Sequence, residues 1–233
     1  MRPSICLAIC ALALAPQPAR AQNACDNLKS FFSKAPKIGD WAEMRMDMKN
    51  SKEPSVSRVS FVGKEQRNGR ELYRMQMVST VQGKRHVVQM LTPWDMSVLA
   101  ENQDFDSEVV MKMGDQPAMI MPIKAGDQTG KYDLRKSCSE IKYIGEETVD
   151  VPAGSFKAQH YKGPDGDTWV SPDVPGWRMV KMASKDGDTL VLTAVGTGAK
   201  NEITEKPVDM KAMMGNPEAM KKMMEGNKGE SNK

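Results

Sequence analysis

Two histidines, four cysteines and 20 methionines are the side chains of this 233-residue chain best suited to ligand or redox chemistry. The histidines, His86 and His160, both fall in segments that alternate like strands. No Ser, Cys or acid stands near them in a nucleophile motif, and there is no glycine-rich phosphate loop or zinc spacing. They act as a pair only if the fold brings them together. Asp165 and Asp167 flank Gly166, which gives either a weak cation site or a plain turn. Nothing here marks a catalytic residue or calls for a cofactor, so the chain reads as a non-enzyme.

The methionines fall into two spacings. Met44, Met46 and Met48, then Met75 and Met77, Met111 and Met113, and Met119 and Met121 recur every second residue, as on one face of a strand. Met210, Met213 and Met214, then Met220, Met223 and Met224, repeat at i, i+3 and i+4, which is helical spacing. Two chemistries follow. Soft thioethers bind Cu(I), so the tail is a candidate metal site. Unbranched, polarizable side chains also make an adaptable apolar surface, so the strand set is a candidate lining for acyl chains or other hydrophobic ligands. The plainer alternative for both sets is an ordinary, methionine-rich core.

The charges exclude some partners. Thirty-three basic residues against 30 acidic ones, with a mean hydropathy of -0.53, leave no basic footprint for nucleic acid. Residues 1–21 read as a cleaved signal peptide: Arg2, the apolar run from Ile5 to Ala15, and Ala19-Arg20-Ala21 before the cut. That run is far short of the roughly 20 apolar residues that span a bilayer, and no later segment supplies one. The expected product is soluble and exported, periplasmic in a Gram-negative cell and extracellular otherwise. Cleavage removes Cys6 and Cys10 and leaves Cys25 and Cys138, whose default in an oxidising compartment is a disulfide. Closing a loop of that length stabilises by up to roughly 4–5 kcal/mol in the chain-entropy account. A reactive thiol or metal ligand is the alternative, though neither Cys lies in a C-x-x-C spacing or beside a His.

The elements that must position these residues are mostly strands. A short helix over 25–34, with Leu28, Phe31 and Phe32 on one face, stops before Pro36. Beyond Gly39 the period becomes two, with Ala42, Met44, Met46 and Met48 turned inward. Strands follow near 56–65 and 71–81, joined by Asn68-Gly69, a strong hairpin signal. Another runs over 86–91. Residues 106–113 fit either a short helix capped by Asp106 or a strand. Strands return at 140–151, 156–161, 168–171, 178–183 and 189–195, separated by turn-rich segments. The expectation is a mainly β, α+β domain over 22–205: about nine strands in a curved antiparallel sheet or half-barrel, with short helices against one face. Residues 206–233 form a Met-rich amphipathic helical or disordered tail.

One run carries a family resemblance. Val149-Asp150-Val151-Pro152-Ala153-Gly154-Ser155-Phe156, continuing through His160-Tyr161 and then Asp167-Thr168-Trp169-Val170-Ser171-Pro172, resembles the strand, tight turn, strand and Trp-containing strand of the periplasmic lipoprotein-carrier superfamily, the LolA/LolB-like half-barrels. The likeness covers about 140–183 in sequence. Elsewhere it is one of pattern: a cleaved signal, a first amphipathic helix, and long strands interrupted by a short mid-chain helix. It implies a concave, apolar-lined sheet capped by helices that holds acyl chains. It transfers no binding residue, and the tail has no counterpart. The preferred expectation is an exported carrier for lipid or another hydrophobic ligand. A Cu(I)-binding protein using the tail, and an assembly module docking a protein partner through the tail, are the alternatives. Whether the concave face is an open cavity or a filled core stays open at this point.

Overall fold

The computed structural model describes residues 34–51, 53–81, 83–94, 107–123 and 140–209. Every element in them is a strand: β1 (Trp41–Asp47), β2 (Ser55–Arg67), β3 (Arg70–Val81), β4 (Lys84–Pro93), β5 (Ser107–Met113), β6 (Met119–Ile123), β7 (Lys142–Val151), β8 (Gly154–Gly163), β9 (Gly166–Val170), β10 (Met179–Ser184), β11 (Thr189–Gly196) and β12 (Val208–Asp209). They form one open sheet in the order β12-β6-β5-β4-β3-β2-β1-β11-β10-β9-β8-β7. Neighbours run antiparallel throughout, except that β12 lies parallel to β6.

Local chemistry sets this topology. Asn68 (φ 50°) and Gly69 (φ 76°) close the β2–β3 hairpin, as its spacing predicts, because both positions tolerate positive φ. At the β8–β9 turn Gly166 is obligatory, since a Cβ there would meet the Ala183 carbonyl oxygen at 2.1 Å. Short turns keep chain neighbours as sheet neighbours. The long steps are two: from β6 to β7, which lies at the far end of the sheet so that the β7–β11 meander closes on β1, and from β11 to β12, which returns beside β6.

The mainly β expectation holds, with differences in detail. Residues 107–113, open between helix and strand, are strand β5. The mid-chain helix implied by the resemblance is therefore absent there. The reason is physical: Val109 and Val110 are β-branched, and β4 offers an edge on which Val110 pairs with Gln89 and becomes 1% exposed. The helix over 25–34 lies almost wholly outside the described residues, as does all of the tail beyond Asp209. Val208 and Asp209 themselves join the sheet, with the Val208 amide donating to the Ala118 carbonyl at 2.8 Å.

Among the described residues, three buried clusters hold the sheet. Ala42, Met44, Val149, Ala158, Val174, Val180 and Leu192 unite the two halves. Val78, Val87, Val110, Ala118 and Ile203 form a second cluster. Val59, Phe61, Tyr73 and Met75 form the third, with Met90 and Trp94 packed against it.

Candidate functional site

Pairing register places the strand methionines on one face. Met119 lies opposite Met111, Met111 opposite Val88, Val88 opposite Met77, Met77 opposite Val59, and Val59 opposite Ala42. A parallel row runs from Met121 through Val109, Met90 and Met75 to Phe61. A third runs from Met113 through His86, Ser79 and Ser57 to Met44. Directly opposed positions bring Cβ atoms to about 4.5–5.5 Å, so these rows are continuous surfaces. The spacing-two pattern thus becomes a shared lining across β1 to β6.

That lining is not uniform. Met44, Met75 and Met119 are buried, Met46 and Met111 are half-buried, and Met48, Met77 and Met113 are exposed. The row ending at Phe61 is closed. Phe61 is fully buried, with Trp94 edge-on at 5.4 Å and Tyr73 edge-on at 6.4 Å. Trp177 reaches over it and donates its indole N–H to the Met75 sulfur at 3.0 Å. The Lys34 carbonyl ties this cover together by accepting from Trp94 Nε1 at 2.9 Å and from Arg178 Nη2 at 3.0 Å. Arg178 is itself buried at a positive φ of 56°, and burial lowers its pKa from the ordinary guanidinium value. At the opposite end of the strands the face is open. Met77 is 36%, Met113 38% and Val81 49% exposed, around His86 and Ser79.

Around Gln76 and Gln89 the reverse face of the same strands is covered through polar contacts that sequence periodicity does not reveal. Gln76 and Gln89 are 1% and 2% exposed. Gln89 donates to Gln76 Oε1 at 2.9 Å and to Asn201 Oδ1, Gln76 donates to the Lys200 carbonyl at 3.2 Å, and the Glu202 amide donates to Gln76 Oε1 at 2.9 Å. The segment 199–209 therefore lies across this face as a strap, with Ile203 in the core and Arg85–Glu202 and Lys112–Glu205 ion pairs at 2.7 and 2.6 Å. Arg85's pKa is raised by its hydrogen bonds to Glu202, and hydrogen bonding from Lys112 lowers that of Glu205. Further along, Glu108 bridges Arg67 at 2.8 Å and Arg74 at 3.1 Å. Burial raises the Glu108 carboxyl pKa, but the two guanidiniums outweigh it and the net shift is downward. Burial and the Glu71 carboxylate push the Tyr73 phenol up to about 12, which keeps it a hydrogen-bond donor.

Beside the strap, the reverse face holds an open cleft of about 340 Å³ lined by Glu43, Pro54, Val56, Arg58, Val78, Ser79, Thr80 and Arg85. Glu43, Arg58 and Val78 share one row of it. The Arg58 guanidinium lies 4.2 Å above the Trp41 ring and donates to Glu43 Oε2 at 3.0 Å.

The remaining candidates are not assembled into one site. His86 and His160 stand on opposite halves of the sheet. His160 Nε2 lies 2.8 Å from Asp167 Oδ1 and Nδ1 3.2 Å from Glu147 Oε1, and the ring stacks on Trp169 at 4.4 Å. Asp165 points instead to Lys185 at 3.3 Å. Among the described residues no group of three or more His, Cys, Asp or Glu could hold a metal ion. Cys25, Cys138, Met210, Met213, Met214, Met220, Met223 and Met224 lie outside the described residues. Within the described residues no helix is long and apolar enough to cross a membrane.

No family model matches the chain, and no curated protein matches it. Twenty-three solved chains do. One is designated a lipoprotein in Parabacteroides distasonis: 13% identity, 69% of this chain and 96% of that chain covered, TM-score 0.34. Another is the MucA/MucB complex of Pseudomonas aeruginosa, with 13% identity, coverages of 78% and 59%, and a TM-score of 0.38. A third is designated an outer membrane lipoprotein-sorting protein domain in Vibrio parahaemolyticus, with 9% identity, coverages of 77% and 92%, and a TM-score of 0.23. This chain thus spans under two thirds of the MucB chain. The neighbours include proteins of the class that the 140–183 run resembles. At these identities and scores they assign no activity, and the functional argument rests on the chain's own residues.

Proposed function

We propose that this chain is an exported, non-catalytic carrier that receives the acyl chains of a lipid, or another hydrophobic ligand, on the open end of its methionine face. One observation carries the reading: Met77, Val81 and Met113 stay exposed together, while directly behind them on the reverse face the 199–209 strap covers Gln76. Clustered exposed apolar side chains on a polar chain mark a binding surface more often than an idle one. Methionine suits the task, because its flexible thioether repacks around varied apolar shapes at small cost. Delivery to the periplasm, or outside the cell, follows from the signal-like residues 1–21.

The test is binding of the neutral dye Nile red to the chain lacking residues 1–21, followed by displacement with palmitate or phospholipid. Saturable binding at micromolar protein that falls several-fold in Met77→Lys/Met113→Lys is the expected result. Absence of binding, or binding indifferent to both lysines, sinks the proposal.

A further inference from the structure

The cleft on the reverse face differs in kind from the methionine surface. Its floor is apolar: Val78 is 7% exposed, while Val56 remains 43% exposed beside Pro54. Its walls carry hydrogen-bond donors in excess of acceptors. The lining acid, Glu43, has both oxygens engaged, Oε2 by Arg58 at 3.0 Å and Oε1 by the Thr193 hydroxyl at 3.2 Å. Arg58 commits a single N–H to that pair. A guanidinium carries five donors, so Arg58, a residue of the cleft lining, has more to give than the one bond to Glu43 uses. Arg85 gives Nε and Nη2 to Glu202 and keeps Nη1. Thr80, opposite Arg85 in the β3–β4 register, adds a hydroxyl. Trp41 beneath Arg58 fixes the guanidinium plane without consuming a donor.

We infer that this cleft is a binding site for a small amphipathic anion: a carboxylate or phosphate head held between Arg58 and Arg85, with a short apolar body over Val56 and Val78. The volume of about 340 Å³ sits at the low end of small-ligand sites and fits a body of medium length rather than a full lipid. Guanidinium forks pair with carboxylate and phosphate oxygens in bidentate geometry, which gives the head its selectivity. The site lies on the face opposite Met77 and Met113, so it stands or falls independently of the carrier surface.

Isothermal titration of the full chain carrying Met77→Lys/Met113→Lys, which blocks the methionine face, with octyl phosphate, octanoate, octanol and inorganic phosphate tests the inference. One saturable site is expected for the two amphipathic anions, with octanol and inorganic phosphate each at least about tenfold weaker. Arg58→Gln and Arg85→Gln should each weaken octyl phosphate by about tenfold. Glu202→Gln, which releases Arg85 from its carboxylate without touching the cleft lining, should tighten it. Octanol binding as well as octyl phosphate would overturn the anion assignment, and inorganic phosphate binding as well would overturn the apolar one. Octyl phosphate binding to the unsubstituted chain but not to the chain with the blocked methionine face would overturn the cleft assignment. If either arginine variant loses its cooperative melt, the Glu202→Gln titration decides, because weaker or unchanged affinity there overturns the site.

Discussion

On β3, Gln76 is 1% exposed and its neighbour Met77 is 36% exposed. The two side chains point to opposite faces of the same sheet, so the difference measures what lies on each side. Over Gln76 the chain itself returns, and the strap supplies a carbonyl from Lys200 and an amide from Glu202 in place of water. Over Met77 nothing described closes the surface. The open end of a face is thus set by where the chain's later segments land, not by which alternating set looks more apolar. Met75, two residues away on the same face as Met77, is 7% exposed because Trp177 and Trp94 cover that end.

The hardest break of this contrast is at the covered end. Phe61→Ala removes a fully buried ring against which Trp94, Tyr73 and Gly176 pack, and it leaves a cavity that the rigid sheet cannot refill. A loss of about 3–5 kcal/mol in urea unfolding is expected. A loss under about 1 kcal/mol would mean that the end is loosely packed and that the two ends of the methionine face do not differ.

Next in size is the reverse face. Gln76→Leu removes at once the partner of the Lys200 carbonyl, that of the Glu202 N–H, and one of the two acceptors of the Gln89 amide, which keeps Asn201. Unsatisfied buried groups cost about 1–3 kcal/mol each at most, and relaxation of the strap toward water relieves part of that. We expect about 2–3 kcal/mol, with hydrogen exchange accelerating selectively in 199–203. Gln76→Leu/Gln89→Leu should recover part of the loss, since fewer polar groups then remain unpaired. Uniformly faster exchange across the sheet would show that the strap is no separate unit.

Much of this architecture was legible in the sequence. Period-two spacing put Met44, Met46, Met75 and Met77 on one face, and the register bears that out across β1 to β3. Asn68-Gly69 announced its hairpin because the positive φ is a local requirement. Inwardness was a different matter. Periodicity assigns residues to faces, but burial depends on contacts far apart in the chain, such as that between Gln89 and Asn201. Residues 107–113 were ambiguous for the same reason, since the edge of β4 decides them. The cleft was invisible because Glu43, Arg58, Thr80 and Arg85 read as an ordinary solvated face until four strands align them.

A smaller effect distinguishes the two faces by pH. Glu108 on the reverse face has its pKa lowered from the ordinary 4.5: burial opposes the shift, and Arg67 and Arg74 drive it. A depressed folded-state value contributes stability that is fully present above the unfolded carboxylate pKa. That contribution is lost as pH falls through the folded value. Glu108→Gln should therefore lower stability at neutral pH by about 1–2 kcal/mol, the scale of a charge-assisted hydrogen bond, because Glu65 still pairs both arginines. Below about pH 4.5 the gap to the parent should narrow. Parallel pH–stability curves for the two proteins would show that Glu108 is not coupled to folding.

The smallest stability effect belongs to the open end, and its smallness is the point. Met77→Lys places a cation on a surface that water already reaches, so urea unfolding should change by no more than about 0.5 kcal/mol. Met75→Lys, on the same face under Trp177, must bury or expel its ammonium and should cost several times more. Apolar dye binding should show the reverse ranking per unit of stability lost: a several-fold drop for Met77→Lys with the fold intact. If the two lysines destabilise equally, the methionine face is covered along its whole length and has no open end for a ligand.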